Sequence, residues 1–426
     1  MRLTSHRNAL TASSAPCVTT PSASAAGISR SGKATLLLVL VVVPLGLGLL
    51  IGEGLLRIRE VRRESVPGTM PLLYYQHARL GHALVRGYNY FDWVHVNGQG
   101  MRGPEVSVAK PAGVTRVMAV GASTTFDGFV SRDDRTWPAR LAERLRQLVP
   151  GQRIEVINAG VSGYRVMDNV IRLQTELFAY DPDVIILYHA HNDLFSALRR
   201  QAAGDAGAAS ARPDAVDTVT PWGSWLAGHS LLYTKVLARW KALGFRRLTP
   251  PAKEQSGAAT PPLEATLGDG AAQFERDLRF FITAARSLGI PVVMAPVVMV
   301  NDPAAAEVEP ESLRNWRLTV PFASPELVFA GYRRYNATIR RVAHEFSAPL
   351  IDTERFGIIG RSLYSDGDPI HFNDAGAAIM GRGMADALLA SGVLSASMTL
   401  AARPSAVSTD VRRVTPAGGA GAVSGR

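Results

Sequence analysis

Four short stretches of this sequence hold residue types that can do chemistry. They are Val120-Gly121-Ala122-Ser123-Thr124-Thr125, Asn158-Ala159-Gly160-Val161-Ser162-Gly163, Tyr188-His189-Ala190-His191-Asn192-Asp193 and Asp366-Gly367-Asp368-Pro369-Ile370-His371-Phe372. A serine hydroxyl is a poor nucleophile until a base accepts its proton, and an imidazole within hydrogen-bond reach does that near neutral pH. His371 is the candidate base for Ser123. Asp368, three residues earlier in a Pro-containing loop, can reach the other ring nitrogen, fix the tautomer and steady the imidazolium. Taken singly, each stretch has an ordinary structural explanation: a polar turn, a loop cap, a surface ion pair. What sets them apart is their joint order of Ser, Gly, Asn and Asp-x-x-His.

Other readings of the same residues are weaker. A phosphate loop would need a Gly-Lys-Ser/Thr ending, and G-x-G-x-x-G is absent. His189 and His191 have the H-x-H spacing of a metal pair but no third ligand at a clear spacing, so the site is read without metal or cofactor. Arg102 could meet an acidic substrate group or could be structural. The Asn336-Ala337-Thr338 sequon falls in a helical pattern and is read as accidental.

The elements that must position these residues show in the hydrophobic pattern. Apolar runs at Thr115–Gly121, Arg153–Asn158, Asp183–Tyr188, Ile290–Val297 and Pro349–Asp352 are short and rich in Val and Ile, as expected of strands buried on both faces. Helix-like segments alternate with them at Trp137–Leu148, Val166–Phe178, Gln273–Leu288, Leu327–Phe346 and Asn373–Leu389. This alternation predicts an α/β three-layer sandwich on a parallel sheet. Each reactive stretch then falls at the carboxyl end of a strand or beside that edge, where open α/β sheets bind ligands. The stretch 197–270 interrupts the pattern. Within it, Gln201–Asp217 reads as mobile, and Ser230 to Gly244 as a capped helix with Leu232, Val236, Trp240 and Leu243 on one face.

The order of Ser123, Gly163, Asn192, Asp368 and His371 resembles the SGNH (GDSL-type) hydrolase family, over residues from about 97 to 391. The Asn97–Arg102 run, the Thr136-Trp137-Pro138 helix start and His371-Phe372-Asn373-x-x-Gly376 share in the likeness. Two positions depart from the family pattern: G-D-S is G-A-S here, with Ala122, and Ala190 replaces a Gly. The resemblance implies a flavodoxin-like fold with a five-stranded parallel sheet. It implies a catalytic set of Ser123, Asp368 and His371, and an oxyanion hole from the Ser123 and Gly163 backbone N–H groups with the Asn192 amide. The N-x-(G/S)-x-x-G alignment favours Gly163 as donor and leaves Gly160 as a turn residue. The implied activity is a serine esterase acting on O-acyl, foremost O-acetyl, groups of a small molecule or glycan through an acyl-enzyme. The alternatives are an O-acyltransferase of a cell-envelope polysaccharide and a catalytically silent binding module on the same fold.

Ahead of this body, Ala34–Gly52 is a charge-free run of 19 residues, 13 of them Leu, Val or Ile. As a helix it spans roughly 28 Å, the thickness of a bilayer core. Those side chains contribute at most about −4 to −8 kcal/mol on the insertion scale, which outweighs Pro44 and three glycines. The organisation expected is a disordered tail (1–33), a transmembrane helix (34–56), a juxtamembrane linker and N-terminal extension (57–110), the hydrolase domain (111–395) and a disordered tail (396–426). Residues 1–33 carry no acid, and membrane-anchored bacterial members of the resembled family look similar, with one N-terminal helix ahead of an extracytoplasmic domain. The expectation is a single-pass inner-membrane protein with its body outside. The net charge of +10 does not signal nucleic acid, because only 5 of 46 basic residues are Lys and the arginines are spread from end to end. One cysteine, Cys17, excludes an internal disulfide and a cysteine metal cluster.

Overall fold

The computed structural model describes residues 30–61, 70, 72–90, 93–203, 218–219, 223, 226, 229–248, 263–300, 320 and 323–394. The tail up to residue 29, the stretch 204–217 and the tail beyond 394 lie outside the described residues. The chain divides into two units, Met1–Leu55 and Leu56–Arg426. Arg30–Val61 forms one helix, α1, which continues through Pro44. Its segment Leu37–Arg59, with a mean hydropathy of 2.3, is long and apolar enough to cross a membrane. A cleaved signal sequence meets the same test of length and composition.

In the second unit, Tyr74–His77 (β1) pairs antiparallel with Gly81–Leu84 (β2), and Asn89–Tyr90 (β3) with Val94–His95 (β4). Along β2 buried and half-buried positions alternate, the pattern of a strand with one face on a core. Leu72, Leu73, Leu80, Leu84, Tyr88 and Val96 pack with Phe126, Val161, Tyr164 and Leu231 into a second apolar core. The described part of the N-terminal extension, from Leu72 onward, is therefore folded, and it leans on loops that follow the sheet strands.

Val114–Gly121 (β5) is buried at every position and forms the centre of the main sheet. After it come Ser123–Phe126 (α2), Trp137–Leu148 (α3), Arg153–Asn158 (β6), Val166–Thr175 (α4), Val184–Tyr188 (β7) and His191–Ala203 (α5). Thr136 caps α3 by accepting from Ala139 N, with Pro138 in the first turn, where a missing N–H costs nothing. Thr218–Val219 (β8) adds to β1 in parallel. Leu231–Leu248 (α6), Leu263–Ser287 (α7), Val292–Ala295 (β9), Pro325–Glu345 (α8) and Asp374–Ala390 (α9) complete the order. The sheet is parallel throughout, in the order β6-β5-β7-β9. Helix α3 packs against α9, while α4, α5 and α8 pack against α7, giving helical layers on the two faces.

Three expectations are corrected. Among the described residues the sheet has four strands, not five. Leu350 makes only an isolated parallel bridge to Met294, because Pro349 has no N–H to donate and the chain turns at once into a 3-10 helix at Thr353–Phe356. The helix expected to run from Val166 to Phe178 ends at Thr175, and Leu177–Tyr180 tightens to 3-10. Helix α6 begins as expected, with Ser230 Oγ accepting from Tyr233 N at 3.1 Å, but it runs past Gly244. It also buries a different face: Leu231 and Thr234 are inside, whereas Val236 and Trp240 are 59% and 69% exposed. Thr234 can go inside because its hydroxyl donates to Ser230 O at 2.8 Å, so burial leaves no polar group unpaired.

Candidate active site

The first residue of α2 is Ser123, directly beyond the central strand. The short helix ends at Asp127, whose φ of 64° is left-handed. Asp127 Oδ2 accepts from Trp137 N at 2.8 Å, and the Trp137 indole donates to Thr124 O at 2.9 Å, so α3 grips the turn from one side. Arg102 grips it from another. Its guanidinium donates to Phe126 O, Asp127 O and Trp93 O and pairs with Asp133 at 2.7 Å. With three N–H groups on backbone carbonyls, one on Asp133 and its side chain buried, Arg102 is structural.

The loop before α9 is tied down in the same manner. Ser365 N donates to His371 O at 2.8 Å, Val300 N to Pro369 O at 2.7 Å, and Asn373 caps α9 while its amide donates to Ser362 O and Tyr364 O. Asp374 accepts from Ser131 N at 2.7 Å, which binds the segment after Ser123 to this loop. The result is a continuous hydrogen-bonded chain. Ser123 Oγ lies 2.8 Å from His371 Nε2, and His371 Nδ1 lies 2.7 Å from Asp368 Oδ2. Asp368 Oδ1 accepts from Ile370 N and His371 N, both at 2.9 Å. Burial pushes the Asp368 carboxyl upward, but the His371 ring and these hydrogen bonds outweigh it and hold it well below the usual carboxylate range. An ionised Asp368 accepts a hydrogen bond from Nδ1–H and so leaves Nε2 unprotonated and able to take a proton. Phe129 covers the imidazole, with ring centroids 4.7 Å apart.

Asn192, the second residue of α5, reaches the loop between β6 and α4 that carries Gly163. The buried Asn192 amide donates to Tyr164 O at 2.9 Å, leaving its second N–H, and Val161 N ties the same loop to Gly121 O, at the end of β5. Gly163 has a φ of +83°, which disfavours any side chain, and its N–H has no protein partner among the described residues. Gly160 is small for another reason: a Cβ there would lie 2.2 Å from Phe126 N, so it lets the loop approach α2. The N–H of Ser123, the unused N–H of Asn192 and that of Gly163 are donors of the kind an oxyanion needs.

The H-x-H histidines go to separate partners. His189 Nδ1 lies 2.9 Å from Asp193 Oδ2 and its Nε2 lies 3.1 Å from Asn169 Nδ2, all buried. His191 Nδ1 meets the Tyr332 hydroxyl, and desolvation, with the nearby His371, pushes its pKa down to about 3. Asn336 of the sequon is buried, its amide donating to Val297 O at 2.8 Å. Sequence reasoning passed over the His189–Asp193 pair, although an i,i+4 spacing across a strand end was there to be seen. It also passed over His82, for which no local signal exists: His82 Nε2 lies 2.8 Å from Ser162 O, 80 residues along the chain.

The sequence of the GDSL-like Lipase/Acylhydrolase family matches residues 119–379, more than half of the chain. This protein belongs to that family, an acylhydrolase of the SGNH (GDSL-type) class acting on ester bonds. No curated protein matches it. Among solved structures, it is similar to the acetyl xylan esterase AlAXEase (16% identity, 64% of this chain and 99% of that one, TM-score 0.36). It is also similar to TesA (15%, 65% and 99%, 0.37) and to a lipase/acylhydrolase from Enterococcus faecalis (14%, 65% and 96%, 0.36). The family assignment rests on the sequence match alone.

Proposed function

We propose that this acylhydrolase is a membrane-anchored serine esterase that cleaves O-acyl, foremost O-acetyl, esters through an acyl-enzyme on Ser123. The observation that carries the reading is the chain Ser123 Oγ–His371 Nε2, His371 Nδ1–Asp368 Oδ2, at 2.8 and 2.7 Å. As Ser123 Oγ attacks the acyl carbon, its proton passes to His371 Nε2, and Asp368 steadies the imidazolium. Negative charge then gathers on the former carbonyl oxygen. The Ser123 and Gly163 N–H groups and the Asn192 amide receive it. Collapse breaks the ester C–O bond, and His371 returns the proton to the departing alcohol. Water repeats the sequence on the acyl-enzyme: His371 takes its proton, the hydroxide adds, and Ser123 Oγ leaves reprotonated with the free acid. The apolar segment of α1 anchors the body, which stands on the extracytoplasmic side.

A membrane-impermeant fluorophosphonate probe on intact cells tests nucleophile and side together. Ser123 is the expected adduct site, and S123A is expected to be folded, unlabelled and inert towards aryl acetates. Labelling that persists in S123A refutes the nucleophile, and labelling seen only after lysis refutes the orientation.

A further inference from the structure

The Ser162–Gly163 peptide group joins the proposed site to a part of the chain outside the family match. Its carbonyl is the acceptor that faces His82 Nε2 at 2.8 Å, and its nitrogen is the Gly163 N–H. A carbonyl oxygen only accepts, so Nε2 carries the proton and donates. The peptide is trans, as are all those described, and a trans peptide is planar with its C=O and N–H directed oppositely. A donor that holds the carbonyl towards the β1–β2 hairpin therefore turns the N–H away from it. Drawing electron density onto that oxygen also makes the N–H a better donor.

His82 is well placed to do this. It is buried, on β2, with its ring edge-on to Tyr74 at 5.2 Å and to Tyr164 at 5.0 Å between centroids. The Tyr164 hydroxyl donates to His82 O at 2.6 Å, and Tyr164 O accepts the Asn192 amide at 2.9 Å. One hairpin residue is thus coupled through side chain and backbone to the loop that carries Gly163 and orients Asn192. A left-handed glycine is where such external fixing matters most, because glycine has the widest choice of backbone angles to lose.

We propose that His82 is a positioning residue of the esterase: its Nε2–H holds the Ser162–Gly163 peptide so that the Gly163 N–H is aimed at the oxyanion. The N-terminal extension then completes the oxyanion hole instead of merely connecting it to the membrane helix. This rests on the esterase reading above. An aimed donor acts on charge that exists only in the transition state, so its loss lowers kcat and leaves KM nearly unchanged.

The test uses the full chain with H82F, which keeps an aromatic ring against Tyr74 and Tyr164 but has no donor, and H82Q, which restores an N–H. Ester turnover and the rate of fluorophosphonate labelling at Ser123 are read alongside thermal melts. H82F is expected to lose about tenfold or more in kcat and in labelling rate at near-constant KM, and H82Q to recover most of it. Wild-type rates in H82F, or H82Q no better than H82F, overturn the proposal while leaving the esterase reading in place. A wild-type chain that neither labels nor turns over esters overturns both. If H82F does not fold, H82L, apolar and without a donor, is read in its place: a kcat about tenfold below that of H82Q at near-constant KM supports the donor role, and a kcat equal to wild type refutes it.

Discussion

His371 with Asp368 and His189 with Asp193 make nearly the same bond, Nδ1 to a carboxylate oxygen, at 2.7 Å and 2.9 Å. Both aspartates use their second oxygen on backbone N–H groups. The difference lies at the far nitrogen and in the access to it. His371 presents Nε2 to a serine hydroxyl and keeps a side-chain exposure of 14%, whereas His189 presents Nε2 to the Asn169 amide at 1%. Asn169 donates in turn to Gly121 O, so the second pair fastens the end of β5, two residues before the serine. A His–Asp pair is thus a positioning device in either setting, and only the group on the other ring nitrogen makes it a candidate base.

The widest separation between the pairs is expected from H371A and H189A. H371A should lower kcat for aryl acetates by a factor on the order of 10^4 or more per folded molecule, since no base is left for Ser123, and it also costs stability because Asp368 loses the ring that holds its carboxylate ionised. H189A should cost stability alone. It strands the Asp193 carboxylate in the interior, costing roughly 2–5 kcal/mol of stability, while the fraction that remains folded turns over within a few-fold of wild type. Parallel denaturation curves and activity per folded molecule check both. A catalytic collapse in folded H189A would erase the distinction.

N192A comes next, with kcat lowered by about 10²–10³ and KM little changed, since its unused N–H meets charge only in the transition state. Steady-state kinetics with an aryl acetate read this directly.

The smallest effect concerns a third aspartate. Burial pushes Asp127 up to about 7, against backbone and charge interactions with Trp137, Arg102 and His371 that pull it down. Unfolded, an aspartate ionises near 3.9; folded, this one holds its proton to about 7. The unfolded state therefore binds fewer protons across that window, and stability falls as pH rises through it, by on the order of 4 kcal/mol at most. Asp368 has the opposite sign: its depressed pKa makes its contribution present above about pH 4 and lost only in strong acid. D127N keeps an acceptor for Trp137 N and should flatten the decline between about pH 4 and 7, as melts across that range will show.

Sequence alone was enough for the family, the ordered residue types Ser123, Gly163, Asn192, Asp368 and His371, the main strands, and the apolar helix ahead of them. Each is local: a run of apolar residues, a capped helix start, or a short motif of fixed spacing. What it could not decide were relations between distant parts of the chain. Whether Leu350 extends the sheet, which face of α6 is buried, whether Arg102 is spent on backbone carbonyls, and which ring nitrogen faces what all depend on partners that periodicity does not name. His82 is the clearest case, an ordinary hairpin histidine until the fold brings Ser162 O within 2.8 Å. Hydrogen-bond roles are set by directed contacts over a few ångströms, and only the folded backbone brings residues 80 or 248 positions apart to that distance.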